Sequence, residues 1–204
     1  FEGWTTTIIS FSSDDNSKDV FGVHSPGFIC VKYGCSKSLE AAINKNTAAV
    51  LIEPIQGEGG IIVPPENYLK EVRNICTKNN VLMLLDEIQS GLGRTGKLFA
   101  YQHSCGNCSC DIGCKTNQPQ ESKPDGLILG KALGGGFMPV SCFLSSKEVM
   151  QWMNPGSHGS TFGGNPLAAA IAKRSIELLD EDKLIENSKV MGEYFKKSLI
   201  DMNS

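Results

Sequence analysis

The sequence lacks the features that mark membrane-spanning, secreted, nucleotide-binding and nucleic-acid-binding proteins. Within its 204 residues, no uninterrupted apolar segment is long enough to span a bilayer. No signal or transit peptide is recognisable at the amino terminus. The net charge of −3, without a basic stripe, argues against nucleic-acid binding. No glycine-rich segment ends in the Gly-Lys-Ser/Thr of a P-loop. The 40% hydrophobic content indicates a globular protein with a packed core.

An initiator methionine is also lacking, and the chain opens on Phe1. At the other end, residues 184, 188, 191, 195 and 199 form one face of a predicted helix, which needs a partner surface. We therefore expect part of a longer protein. Residues 1–180 would form most of a large domain, and residues 181–204 a helix leading to a small domain outside this chain. The sequence leaves cytoplasm and mitochondrial matrix open, because a targeting segment would precede Phe1.

Short apolar runs alternate with helical patterns, which is typical of an α/β fold. Residues 48–52 and 81–85 are predicted strands, and the first is expected to be buried on both faces. A helical pattern that opens at Pro65 lies between them, so the two strands are predicted to be parallel. Further strands are predicted over residues 127–129 and 140–144. Further helices are predicted over residues 146–153, from Asn165 with Leu167, Ile171 and Leu178 on one face, and from Glu181.

A lysine and an aspartate each follow one of these apolar runs. Lys131 follows residues 126–130 and precedes three glycines, a setting in which its side chain could be partly buried. Burial lowers the pKa of a lysine, as a Schiff-base lysine requires. Asp86 ends the run over residues 81–85, and a buried carboxylate can keep a pyridine nitrogen protonated. Together they predict a pyridoxal 5′-phosphate (PLP) site, although each alone fits a solvated lysine or a turn-capping carboxylate.

The residues after Asp86 extend this candidate site. Asp86 and Glu87 could form a catalytic carboxylate pair, but neighbouring strand residues point to opposite faces and are not expected to share a substrate. Gln89 could reach the same site if the chain turns sharply. The glycines at positions 91, 93 and 96 permit such a turn.

A segment rich in small and hydroxyl residues, 156–166, precedes a predicted helix. Its hydroxyls and backbone amides could cradle a phosphate group, and a flexible connector with a helix cap is the plainer interpretation. His158 stands alone in this loop and is assigned a structural role.

Four of the eight cysteines crowd into residues 104–122, which we interpret as an insertion. Their spacing, Cys105, Cys108, Cys110 and Cys114, is more compressed than the separated pairs of zinc sites, so no metal is predicted. The absence of a secretory signal favours a reducing compartment.

Taken together, these segments resemble the class-III, fold-type-I PLP-dependent aminotransferases. The resemblance covers most of the chain outside the cysteine-rich segment. It implies an α/β fold with a mostly parallel central sheet and flanking helices, of which this chain holds part. The matching stretches occur in the family's order at residues 53–58 (Glu-Pro-Ile-Gln-Gly-Glu), 85–96, 123–125, 130–133 and 159–166.

The resemblance also implies roles for residues around the cofactor. Lys131 is similar to the Schiff-base lysine, which also moves the proton in catalysis. Asp86 matches the partner of the pyridine nitrogen. Gln89 would bond the phenolic oxygen of the ring, and Phe1 and Ile88 would sandwich the ring.

Four more residues take implied roles in binding. Ser160 and Thr161 would reach the cofactor phosphate of a neighbouring subunit, which implies a homodimer with shared active sites. Glu58 resembles a glutamate that pairs with an arginine near the carboxyl terminus and swings away for the keto acid. Glu53 would lie near the cofactor and substrate.

The implied reaction is transamination between a small-molecule amino donor and a 2-oxo acid, expected to be 2-oxoglutarate. Two subgroups compete. The spacing of residues 131–139 and the Pro-Gly-Phe at 26–28 resemble enzymes that act on the δ-amino group of L-ornithine. Residues 57–60 and the Gly-Ser-His-Gly-Ser-Thr at 156–161 are also similar to N-acetylornithine enzymes. We favour ornithine.

One position departs from the family. Trp4 stands where an arginine usually binds the substrate carboxylate. A non-catalytic remnant that dimerises or binds PLP without turnover is therefore an alternative. A zinc-dependent binding module built on the cysteine-rich segment ranks last.

Overall fold

The computed structural model describes residues 10, 12, 23–104 and 122–202. No helix in these ranges combines the length and hydropathy needed to cross a bilayer. In chain order the elements are helix α1 (Ser36–Ala42), strand β1 (Ala49–Ile52), helix α2 (Tyr68–Lys78), strand β2 (Leu82–Asp86), a first 3₁₀ helix (Ala100–Ser104), strand β3 (Gly126–Leu129), a second 3₁₀ helix (Lys131–Gly134), strand β4 (Cys142–Ser145) and helices α3 (Lys147–Met150), α4 (Pro166–Glu181) and α5 (Leu184–Met202).

The four described strands form one sheet in the order β1-β2-β3-β4. The first three are parallel and β4 is antiparallel to β3, so the predicted parallel pair is confirmed. Ile52 is paired with Leu85, and Asp86 with Ile128. The carboxyl ends of β1, β2 and β3 therefore lie at the same edge of the sheet, the usual location of ligand sites in α/β folds.

One face of the sheet carries the main hydrophobic core. Helices α1 and α2 pack there against β1 and β2, and Val72, Cys76, Met83 and Leu85 are fully buried. A buried aliphatic side chain contributes roughly 1.5–3 kcal/mol relative to an exposed one. This core fixes the strand ends from which the candidate site is built.

Strand β1 differs from its prediction. Ile52 is buried and Val50 packs against the core, but Leu51 is 39% exposed. The expectation of burial on both faces is wrong in the described chain, because no described element covers the face of β1 that carries Leu51.

Helix α2 begins three residues later than predicted, at Tyr68 rather than Pro65. The Pro65 carbonyl accepts a hydrogen bond from the Tyr68 amide at 3.0 Å, so this proline belongs to the turn before the helix. Proline at position 65 restricts Pro64 to extended backbone. The predicted apolar face of the helix is correct and buries Tyr68, Leu69 and Val72.

The predicted packing face of α4 is wrong. Leu167 is 61% exposed, whereas Ala168 is buried and Ala172 packs against the core around the second 3₁₀ helix. Small side chains on this face allow the helix to approach the glycine triplet closely. The predicted face comprised Leu167, Ile171 and Leu178.

The ends of α3 and α5 also differ from the predictions. Helix α3 covers only Lys147–Met150 of the predicted 146–153, with Ser146 as its N-cap. Helix α5 begins at Leu184, because Glu181 is the last residue of α4 and Lys183 adopts a positive φ of 50° between the helices. The predicted apolar stripe of α5 is exposed in this chain; Phe195, for example, is 64% exposed.

Candidate active site

Residues that follow the carboxyl ends of the three parallel strands meet at one edge of the sheet. The Lys131 ammonium donates to Gln89 Oε1 at 2.9 Å, so this bond joins the segment after β3 to the segment after β2. Asp86 and Lys131 are also close enough to Glu53, which follows β1, to affect its pKa. The structure thus brings together Lys131, Gln89, Asp86 and Glu53.

Asp86 turns the chain at the end of β2. Its Oδ1 accepts a hydrogen bond from the Ile88 amide at 2.9 Å. This side-chain turn replaces the next step of the strand and directs Gln89 toward Lys131. Asp86 itself is half-buried. The sharp turn predicted after Asp86 is therefore present.

The backbone of Lys131 is left-handed, with φ of 44°. Such a conformation is rare for a residue other than glycine and costs roughly 1–2 kcal/mol. Strained residues cluster at functional sites, where the surroundings hold them in place. The expectation of a partly buried Lys131 is wrong in the described chain: its side chain is exposed, because the glycines that follow supply no side chains to cover it.

Gln89 is held by Gly57, which belongs to the segment after β1. A Cβ at Gly57 would overlap the end of the Gln89 side chain, so any larger residue would displace that amide from its present position. The Gly57 amide donates to Glu53 Oε2 at 2.9 Å. The segments after β1 and β2 therefore interlock directly beside Lys131.

Glu53 is half-buried, and burial raises the pKa of its carboxyl group. The negative charges of Asp86 and Glu58 act in the same direction, while the Gly57 amide and Lys131 oppose it. The charges that act on Glu53 are therefore two carboxylates, Asp86 and Glu58, and one amine, Lys131. This excess of negative charge gives the region around Glu53 an electrostatic preference for cationic groups.

Tyr33 anchors the backbone under Glu53, and sequence reasoning assigned it no role. Its hydroxyl donates to the Glu53 carbonyl at 2.9 Å and to the Pro54 carbonyl at 3.0 Å. Burial, then the neighbouring Tyr68 and Glu53, raise the pKa of Tyr33 above its usual range, so it remains a neutral donor. A single tyrosine in a loop carries no periodic signal that would have identified it.

The two other predicted site residues in the described ranges near Asp86 and Glu53, Ile88 and Glu58, differ in burial. Ile88 is 5% exposed and packs beside Gly130, where a Cβ would stand 3.3 Å from its Cγ2 atom. Glu58 is exposed in a loop closed by an antiparallel bridge between Gln56 and Ile62. It influences Glu53 by charge rather than by a described hydrogen bond.

Ser160 and Thr161 are both exposed. The Ser160 hydroxyl accepts a hydrogen bond from the Gly163 amide at 3.0 Å, which closes a local turn. The predicted roles of Ser160 and Thr161 in phosphate binding remain predictions.

Several predictions lie outside the described residues. These are the positions of Phe1 and Trp4 and of the four clustered cysteines. Within the described ranges, no group of three or more histidine, cysteine, aspartate or glutamate side chains is arranged to hold a metal ion.

Comparison with known proteins now identifies the family. The family model of class-III aminotransferases matches residues 1–204. The chain belongs to this family. The predicted family and the predicted fold class are both confirmed.

Relatives of this class-III aminotransferase include ornithine aminotransferases. The chain is 48% identical over 204 residues to "Ornithine aminotransferase" of Bacillus subtilis (strain 168), covering 100% of this chain and 47% of that protein. The enzyme of the same name from Macrococcus caseolyticus is 45% identical over 204 residues, with the same coverage. The chain thus spans about half the length of the curated relatives that it matches.

Solved structures give a similar result for this class-III aminotransferase. A structure of ornithine aminotransferase from Toxoplasma gondii superposes with a TM-score of 0.85 at 40% identity, covering 98% of this chain and 43% of that one. Acetylornithine aminotransferase from Elizabethkingia anophelis superposes with a TM-score of 0.75 at 42% identity, covering 87% and 43%.

Proposed function

We propose that this class-III aminotransferase uses PLP to transfer the δ-amino group of L-ornithine to 2-oxoglutarate, giving glutamate semialdehyde and glutamate. The observation that carries the proposal is the bond between Lys131 and Gln89, formed beside the Asp86 turn where three parallel strands end. The similarity to ornithine aminotransferases over the whole chain supports the choice of substrate.

The side chains at this edge fit the chemistry of PLP. Lys131 offers an accessible amine for the aldehyde group, and Asp86 offers a carboxylate for the pyridine nitrogen. Gln89 offers an amide for the phenolic oxygen, and Ile88 an apolar surface for the ring. When bound, PLP supplies an electron sink for the carbanion formed at the substrate carbon.

Lys131 would have two tasks. Its Nζ atom would hold the cofactor covalently, and as a free amine it would carry the proton removed from the amine-bearing carbon of the substrate. Asp86 would keep the ring nitrogen protonated by its negative charge.

The carboxylates favour an amino donor with a second positive charge. Glu53 and Glu58 would bind the substrate, and ornithine carries two amino groups. In N-acetylornithine one of these is acylated and neutral, so it would lose the attraction of the carboxylates. This charge pattern supports ornithine over the acetylated compound.

A homodimer with shared active sites is part of the proposal. Residues 151–164 are exposed throughout, including Ser160 and Thr161. We propose that these hydroxyls bind the cofactor phosphate of a second subunit. Small-molecule amino donors and 2-oxo acids would be the other partners.

The decisive experiment records the visible absorbance of the full-length polypeptide mixed with PLP. We expect a band that disappears in Lys131→Ala and persists in the surface control Lys45→Ala. L-ornithine should abolish the band of the wild type and yield glutamate semialdehyde. Abolition by N-acetylornithine alone would transfer the assignment to that substrate. A Lys131-dependent band without turnover of either donor would indicate the non-catalytic remnant.

A further inference from the structure

We infer that Glu87 is a positioning residue that fixes Asp86 and Gln89 for cofactor binding. The inference rests on the proposed function, because its readout is the interaction with PLP. Glu87 follows Asp86 directly in the chain, but it points away from the cluster and is fully buried. Sequence reasoning correctly separated the two carboxylates and assigned no task to the second.

The Glu87 carboxylate is the centre of a dense hydrogen-bond network. Its Oε2 accepts from the Ser90 hydroxyl at 2.7 Å and from the Ala100 amide at 3.0 Å. Its Oε1 accepts from the Tyr101 amide at 2.9 Å. A carboxylate is an acceptor with several lone-pair sites, and these three donors match it.

These bonds close the segment that contains Gln89. Ser90 lies directly after Gln89, whereas Ala100 and Tyr101 belong to the first 3₁₀ helix. The carboxylate therefore ties the turn after β2 to a helix more than ten residues further along. Gln89 is held between Glu87 and Ser90, and Asp86 directly precedes the anchored Glu87.

The segment also has no space to relax around this carboxylate. The Gly91 amide donates to the Glu87 carbonyl at 2.9 Å. A Cβ at Gly91 would stand 2.6 Å from that carbonyl oxygen and 3.4 Å from Glu87 Oε2. The chain therefore wraps the side chain closely, and a change in its hydrogen bonding must move the turn.

Replacing Glu87 by glutamine creates such a change without changing the volume. The new NH₂ group must face the amide of either Ala100 or Tyr101, so one buried backbone donor meets another donor. An unpaired buried donor is strongly unfavourable, and the segment is expected to shift. Asp86 and Gln89 would move with it.

The test compares Glu87→Gln with two controls in the full-length polypeptide. Val72→Ala empties a fully buried core position on α2 and removes no hydrogen bond of the Glu87 carboxylate. Ser90→Ala removes one of the three donors to Glu87. For each variant we would measure the melting temperature, the Kd for PLP and the pH midpoint of the visible band, together with kcat for ornithine.

We expect Glu87→Gln to raise the Kd for PLP and to lower kcat by roughly 10- to 100-fold, as for misplaced catalytic groups. The pH midpoint of the band should move, because the position of Asp86 sets the protonation of the ring nitrogen. Ser90→Ala should change the Kd for PLP and the pH midpoint in the same direction as Glu87→Gln, but by less. Val72→Ala should lower only the melting temperature.

A Glu87→Gln variant that loses thermal stability like Val72→Ala, but keeps the Kd and pH midpoint of the wild type, would overturn the inference. If Glu87→Gln fails to fold, Ser90→Ala tests the role of Glu87 instead, by the Kd for PLP and the pH midpoint of the band. A wild type without a Lys131-dependent band refutes both the proposed function and this inference. A wild-type band that neither variant alters refutes the role of Glu87 alone.

Discussion

The contact between the glycine-rich segment after Gln89 and helix α5 makes Gly96→Ala a sharp test of the packing. Gly96 has a φ of 82°, and a Cβ there would stand 2.8 Å from Lys189 Cβ and 3.0 Å from Lys189 Cα on α5. Ser188 on the same helix donates to the Arg94 carbonyl at 3.2 Å, so the segment and the helix are also joined by a hydrogen bond.

Two effects add in this substitution. Holding an alanine in the left-handed backbone conformation lowers the free energy of unfolding by about 1 kcal/mol. Forcing a methyl group against the backbone of α5 adds about 1–3 kcal/mol, because the Lys189 Cα atom cannot move away by a side-chain rotation. We therefore expect Gly96→Ala to lower the free energy of unfolding by about 2–4 kcal/mol.

Gly27→Ala is the matched control. Gly27 has a similar φ of 93°, and a Cβ there would meet no atom of the described residues within 4 Å. Gly27→Ala should therefore lower the free energy of unfolding only by the cost of the left-handed backbone, about 1 kcal/mol. The assay is equilibrium urea unfolding of the cofactor-free full-length polypeptide, followed by circular dichroism. Equal losses in the two variants would refute the close contact between Gly96 and α5.

Three further predictions concern Lys131, Asp125 and Cys76. Lys131→Gly should be more stable than Lys131→Ala by about 1 kcal/mol in thermal unfolding without PLP, because glycine relieves the positive φ. Asp125→Ala should lower the free energy of unfolding by about 1–3 kcal/mol, and Arg73→Met by less. The reason is that Asp125 Oδ2 accepts both from Arg73 and from a backbone amide of β2, each at 2.7 Å. Burial raises the pKa of Cys76 to about 11, so iodoacetamide at pH 8 should leave this neutral thiol unmodified while it alkylates the exposed Cys30, as peptide mass mapping would show.

Each of these predictions has a clear contrary result. A Lys131→Ala variant at least as stable as Lys131→Gly would contradict the left-handed backbone. Equal losses for Asp125→Ala and Arg73→Met would mean that the amide of β2 gains nothing from the carboxylate. Rapid alkylation of Cys76 in the folded protein would contradict its burial.

The sequence was sufficient to predict the strands and the edge at which the site lies. Apolar runs identify the strands, and parallel pairing places Asp86 and Lys131 at the same edge regardless of the details of packing. The glycines after Gln89 only permitted a sharp turn, and the turn itself is made by the Asp86 side chain. These features depend on short stretches of chain, which a sequence displays directly.

The errors concern features that depend on distant neighbours. The exposure of Leu51 reflects the lack of a described element over that face of β1, which its apolar run does not reveal. Helix α4 uses its small face because it approaches the glycine triplet: a Cβ at Gly135 would stand 2.6 Å from Ser175 Oγ. Tyr33 bonds to two distant backbone carbonyls, and Glu87 accepts from two distant backbone amides as well as from Ser90. A sequence has no pattern that reveals such contacts.

The bond between Lys131 and Gln89 has a consequence for the entropy of ligand binding. Lysine and glutamine side chains each lose up to about 1.5–2 kcal/mol of rotamer freedom when they become ordered. In this fold the two long side chains restrain each other before any ligand arrives, and Gly57 confines Gln89 from the other side. A ligand that takes over these hydrogen bonds therefore exchanges one ordered arrangement for another, and less conformational entropy opposes its binding.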